Sequence, residues 1–315
     1  MSYCESCGED YCDNCGHECP SNSALRDPSI VPCHGKKKGE YLKIDRLIGV
    51  EIESEEGNAE TLSEKLPDEC GIEEDGSLDD GGVEVVTPPA SLDEAERIIT
   101  ESCNALKEAD FVINRTCGLH VHVDARDFKS DTKKLSHLLR TVYAVEDVIF
   151  SMLPPSRWNS NWCERLSKKY GFDDFKKTMT LADFEKKWYL NATEEEIEKS
   201  KGSKHDCKGT RYHGLNLHST MYRGTVEFRY HSGSMEPSKI LSWAGLLLAL
   251  VDYSIKRYKD QDINELYSMP VTEMKLRRMF ALLKIPDQTQ KYIQERIAKF
   301  NPKFMSLDSR PDTDE

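Results

Sequence analysis

Cys117-Gly118-Leu119-His120-Val121-His122-Val123-Asp124 alternates aliphatic and imidazole side chains. That two-residue period belongs to a strand, so Leu119, Val121 and Val123 face a core while His120 and His122 share the opposite face. Three other stretches repeat the arrangement with carboxylates and a guanidinium: Gly49-Val50-Glu51-Ile52-Glu53-Ser54-Glu55, Gly82-Val83-Glu84-Val85-Val86-Thr87-Pro88-Pro89 and Gly224-Thr225-Val226-Glu227-Phe228-Arg229-Tyr230-His231. Glutamates facing one another repel unless a cation lies between them. Oxygen-rich sites with one or two imidazoles suit hard divalent ions, so Mg²⁺ or Mn²⁺ is the first expectation. For a single strand, a solvated outer face is the better explanation of such alternation. Four strands, one carrying His-x-His, favour a site.

Elements that would position these residues can be read in chain order. Pro88-Pro89 ends the second strand, because proline lacks the N–H that a ladder needs. Ser91-x-x-Glu94 reads as a capping box for a helix to about residue 110, with Ala95, Ile98, Ile99, Cys103 and Leu106 inward. A second helix is expected over 131–150 and is stopped by Pro154-Pro155. A polar, lysine-rich insertion at about 156–210 follows, holding Arg157, Trp158, Asn161, Trp162, Arg165, Lys168, Lys169, Lys176 and Lys177 and a helix near 181–190. It reads either as a lid offering cations to an anionic ligand or as a solvated insertion. Residues 199–208 read as a loop, and 212–218 as a strand forming a hairpin with the one that holds Glu227 and Arg229. From residue 237 the chain is helical: 238–258, 272–283 with Thr272 as N-cap, and 287–300.

At 315 residues the chain is long enough for one large domain or two smaller ones. A formal charge of -13 argues against bulk attraction to nucleic acid or anionic lipid. Its start lacks a basic, apolar secretory leader, and the longest apolar run, 244–251, is short for a bilayer span. The expectation is a cytoplasmic protein without a membrane partner. Fourteen acidic residues and one lysine, Lys65, lie between Glu51 and Glu84 inclusive, which predicts an exposed loop over part of that span.

Six of the eleven cysteines fall within the first 33 residues: Cys4, Cys7, Cys12, Cys15, Cys19 and Cys33. Crowding without a leader favours metal over disulfides. Cys4-x-x-Cys7-Gly8 and Cys12-x-x-Cys15-Gly16 resemble two zinc knuckles whose four thiolates suffice for one structural Zn²⁺. Cys19, Cys33, His17 or His34 complete that shell or form a second site; an iron–sulfur centre and a metal-scavenging tail are the alternatives. Residues 1–39 are therefore read as a zinc-binding unit and linker that folds with its metal, and 40–315 as the catalytic domain.

Taken in order, Gly49-Val50-Glu51-Ile52-Glu53, Asp75-Gly76-Ser77-Leu78, Val83 to Pro89, Cys117 to Val123, Arg157 with Asn161 and Cys163, Leu215-Asn216-Leu217 and Thr225 to Arg229 resemble the amidoligase family. That family is a branch of the carboxylate-amine ligases related to glutamine synthetase and glutamate-cysteine ligase. The resemblance implies an α+β fold, a curved antiparallel sheet with helices on its back, and an ATP-dependent ligase working through an acyl phosphate. It implies that Glu51, Glu53 and Glu84 hold metals, that His120 contacts metal or phosphate, that Glu227 completes the metal cluster and that Arg229 holds the transferred phosphoryl group. His122, Asp75 and Asn216 are implied close by, on the nucleotide side. Substrates would be small-molecule, peptide or protein carboxylates and amines. Zinc knuckles are not part of that family pattern; together with the acidic loop and the lysine-rich insertion, the zinc unit would select a protein partner or bring a protein substrate, independently of the resemblance. No Gly-x-x-x-x-Gly-Lys loop is present, which argues against a P-loop ATPase. Competing readings are a metal-dependent hydrolase, in which the same His and Glu residues activate water, and a non-catalytic zinc-bearing interaction protein on a ligase-like scaffold.

Overall fold

A computed structural model describes residues 2–3, 10–11, 46–74, 78, 82–175 and 178–304. Cys4, Cys7, Cys12, Cys15, Cys19, Cys33, His17, His34 and Asp75 lie outside these residues, as do Lys176 and Lys177. The chain divides into two compact units, Met1–Cys117 with Met235–Pro237, and Gly118–Ser234 with Ser238–Glu315. Both are α+β.

In the first unit β1 (Ser2–Tyr3) pairs antiparallel with β2 (Asp10–Tyr11). Then follow β3 (Ile48–Ser54), α1 (Ala59–Lys65), β4 (Gly71–Glu73), β5 (Val83–Val86) and α2 (Leu92–Glu108). β3, β4 and β5 form an antiparallel ladder with β5 in the centre. Val50, Ile52, Val83 and Val85 are buried, and α2, which packs against β3, buries Ala95, Ile98, Ile99, Cys103 and Leu106 as their spacing predicts. The acidic span is not one loop: α1, capped by Asn58 Oδ1 accepting from Thr61 N at 2.8 Å, and β4 both lie within it. Ser91 is the N-cap of α2, but its side chain makes no capping hydrogen bond, so the expected box does not close.

The second unit contains β6 (Gly118–Asp124), α3 (Thr132–Ser151), α4 (Pro155–Trp158), α5 (Leu181–Trp188), α6 (Glu194–Lys201), β7 (Leu215–Asn216), α7 (His218–Tyr222), β8 (Thr225–Ser232), α8 (Pro237–Lys256, whose first residue belongs to the first unit), α9 (Asp260–Ser268), α10 (Glu273–Leu283) and α11 (Asp287–Phe300). β8 pairs antiparallel with β6 on one side and β7 on the other. The expected hairpin forms, but β7 is two residues long and His218 opens α7. Gly224 closes the turn with φ +80°, a conformation glycine adopts without a Cβ clash.

Helices cover one side of β8. Phe150 of α3 meets the Tyr230 ring edge-on at 5.6 Å, Trp243 of α8 lies 5.4 Å from His231, and Tyr292 of α11 shares a 2.6 Å hydrogen bond with His231 Nε2. By length and composition α8 could cross a bilayer; here Ile240, Trp243, Leu247 and Leu250 are buried in protein. Nor is the insertion a solvated run. Tyr170 stacks on Trp188 at 5.2 Å, Phe175 meets Phe184 at 4.9 Å, and all four are buried. Several of its described lysines pair with its own acids, among them Lys168 with Glu164 at 3.0 Å and Lys201 with Glu185 at 3.1 Å. α6, over part of the expected 199–208 loop, starts with a closed capping box between Thr193 and Glu196.

Candidate active site

Each unit builds one polar strand face. In the first, Glu53 is the register partner of Glu84, and Glu84 of Glu73, so three carboxylates stand in a row across β3, β5 and β4. Direct cross-strand partners have Cβ atoms about 4.5–5.5 Å apart, close enough for like charges to destabilise the pairing. Glu51, two residues before Glu53, shares that face, and ligand oxygens of Glu51 and Glu84 lie within 4.8 Å of one another. Glu51, Glu53 and Glu84 are all buried. Glu73 was missed by sequence reasoning because a three-residue strand inside an acidic span shows no period. Glu55 has other employment: Thr116 Oγ1 donates to it at 2.7 Å and Asn114 Nδ2 also bonds it, tying off the end of β3.

In the second unit His122 pairs with Glu227, and their ligand atoms lie within 4.8 Å of each other. Glu227 Oε1 accepts from Arg229 Nη1 at 2.5 Å, and Oε2 accepts from Asn216 Nδ2 at 2.6 Å. His122 Nδ1 lies 2.8 Å from Thr225 Oγ1, itself 2.8 Å from Ser219 Oγ; this chain fixes the ring. His120 is buried on the same face of β6. His120, His122, Asn216, Glu227 and Arg229 thus form one buried array.

His231 does not join them. Simple alternation aligns it with Glu227 and Arg229, but the register steps from Leu119↔His231 to Val121↔Phe228, so β8 carries one extra residue. Tyr230 and His231 both turn to the helices. Burial pushes the His231 imidazole down to about 3, so it packs as a neutral ring.

Two residues that no strand pattern reveals support the array. Arg157 of α4 donates Nε to the Tyr230 carbonyl at 3.1 Å and Nη2 to the Arg229 carbonyl at 2.6 Å. Glu146 of α3 accepts from Tyr230 Oη at 2.8 Å and from Leu166 N at 2.9 Å. Burial raises the Glu146 carboxyl to about 7, against the lowering effect of those two donors. Gly214 gives the Tyr230 ring its seat, since a Cβ there would stand 2.0 Å from a ring carbon, and its carbonyl accepts Arg229 N at 2.7 Å.

Residues 42–251, two thirds of the chain, match the sequence model of the family described as "Putative amidoligase enzyme". The chain belongs to the amidoligase family. All of Glu51, Glu53, Glu84, His120, His122, Asn216, Glu227 and Arg229 fall within the amidoligase match, as do Arg157 and Glu146, whereas the cysteine-rich segment precedes it. Among solved structures, a bifunctional glutathione synthetase from Pasteurella multocida is similar with a TM-score of 0.49 and 11% identity, covering 81% of this chain and 47% of that one. The amidoligase chain thus spans about half the length of that enzyme. No curated protein matches.

Proposed function

We propose that this amidoligase is an ATP-dependent carboxylate-amine ligase that forms an amide or isopeptide bond. A carboxylate does not acylate an amine at neutral pH, because its leaving group is poor. Phosphorylation supplies one: a carboxylate oxygen of the substrate attacks the γ-phosphorus of ATP, the bond to the β-phosphate oxygen breaks and ADP leaves. Nitrogen of the amine then attacks the acyl carbon, the bond to the phosphate oxygen breaks, phosphate departs with the electron pair and the amine loses a proton.

In this reading Arg229 faces the phosphoryl group in transfer, with Glu227 orienting its guanidinium and Asn216 orienting Glu227. Glu51, Glu53 and Glu84 would hold Mg²⁺ or Mn²⁺, as would His120 and Glu227, and His122, Asn216 and Asp75 would serve the nucleotide side. Those donors fit the ions: they are mainly carboxylates with an imidazole, the set that hard divalent cations take. Bound, the ions would neutralise the phosphates and the charge of phosphoryl transfer. Cys4, Cys7, Cys12 and Cys15 hold structural Zn²⁺ in a unit that meets a protein partner or substrate.

The observation that carries the proposal is Glu227 held on one oxygen by Arg229 and on the other by Asn216, beside His122, in an amidoligase chain. The test is ADP release across a panel of carboxylates and amines. ADP formation requiring both supports it. Amide cleavage without nucleotide would put a metal-dependent hydrolase in its place, and a folded protein that does not bind ATP–Mg²⁺ would leave a non-catalytic interaction protein.

A further inference from the structure

The extra residue in β8 falls at Arg229–Tyr230, between the register pairs Leu119↔His231 and Val121↔Phe228, and Arg157 takes the carbonyls of these two residues. Arg157 is 3% exposed, and both of its guanidinium hydrogen bonds go to backbone. A residue that only filled space here would be aliphatic, because a buried cation must be compensated. A guanidinium offers what an aliphatic chain or a lysine cannot: a planar fork of donors that spans two successive carbonyls in a fixed geometry. The tie is reciprocal. Arg229 Nε donates to the carbonyl of Trp162 at 3.3 Å, five residues beyond Arg157, while Cys163 Sγ bonds the Arg157 carbonyl at 3.4 Å. Segment 157–163 and the bulge of β8 therefore hold one another through two arginines, each bonded to the other segment's backbone.

We infer that Arg157 is a positioning residue, which locks the bulge of β8 so that Arg229 presents its guanidinium to the reacting phosphoryl group. Its consequence for rate rests on the ligase reading; the positioning itself does not. Loss of the fork lets the Arg229 backbone relax, and a displacement of about 1 Å at such a group costs on the order of 100-fold in rate.

The test uses the full chain with Arg157→Lys and Arg157→Met, following the Arg229 Nε–Hε resonance, assigned by its loss in Arg229→Lys. Both variants are expected to fold and to shift or broaden that resonance. In Arg157→Lys, kcat for ADP release should fall about 10- to 100-fold with KM for ATP within about threefold. An unmoved Arg229 resonance in either folded variant overturns the inference. So does unfolding of both variants where Arg229→Lys folds, since Arg157 would then be a strut for the whole unit. A displaced resonance in a protein whose wild type releases no ADP leaves the positioning intact and removes the ligase reading.

Discussion

Glu227 has a neighbour for each oxygen, Arg229 on Oε1 and Asn216 on Oε2, and the two contacts differ in what their loss would do. If Arg229 faces the phosphoryl group as proposed, Arg229→Ala removes that cation and kcat should fall by about 10²- to 10³-fold, the scale of losing one preorganised transition-state donor. Asn216→Ala leaves that cation and only frees Glu227 to turn, so its kcat should fall less. ADP-release kinetics on both variants check the order, and a larger loss in Asn216→Ala would contradict the roles assigned. At this scale Glu51, Glu53, Glu84, His120, His122 and Glu227 were legible, because strand alternation puts their side chains on one face of each strand. Arg157 stood out only as part of the amidoligase resemblance, without its role, and Glu146 not at all, since their partners lie 20 to 84 positions away and are mostly backbone groups.

Elements meet at Glu146, which joins α3 to β8 through Tyr230 and to the insertion through Leu166. Its carboxyl rises from an ordinary 4.5 to about 7, so the folded state favours the neutral acid. That contribution to stability is complete below pH about 4.5, is lost as pH rises through about 7, and is constant above. His213 and His231 act in the opposite sense: burial lowers them to about 4 and about 3, so what they contribute is present above pH 6.5 and lost as pH falls. The difference in unfolding free energy between wild type and Glu146→Gln should therefore change between pH 4.5 and 7 and stay flat outside that window; parallel profiles throughout would contradict the assignment. Gly214→Ala should destabilise by about 1–3 kcal/mol in denaturant titration, because its Cβ would enter the Tyr230 ring. An unchanged midpoint would show that the ring yields freely. Helix ends were legible where periodicity is strong, as at 287–300, which α11 occupies to the residue. Capping was less so. Ser91 and Thr272 sit at N-caps without side-chain capping bonds, while the box that closes, Thr193 with Glu196, lies beside a stretch read as loop. The bulge that turns His231 away exists only in the pairing of β8 with β6, and one strand's sequence cannot show it.

Across the whole molecule, a formal charge of -13 and a family match over 42–251 suit an enzyme that concentrates divalent cations before it meets an anionic nucleotide. Chelation with EDTA should abolish ATP binding in calorimetry while far-UV circular dichroism from the helices stays unchanged; ATP binding of undiminished affinity without divalent ions would contradict the proposed role of the carboxylates. The central claim is that the carboxylates on the polar strand face of each unit hold divalent ions for the nucleotide. Its most direct measurement is Mn²⁺ affinity, by paramagnetic resonance in the presence of ATP, for wild type, Glu51→Gln and Glu227→Gln. The account predicts that each change weakens Mn²⁺ binding. A change that leaves Mn²⁺ affinity untouched would contradict it.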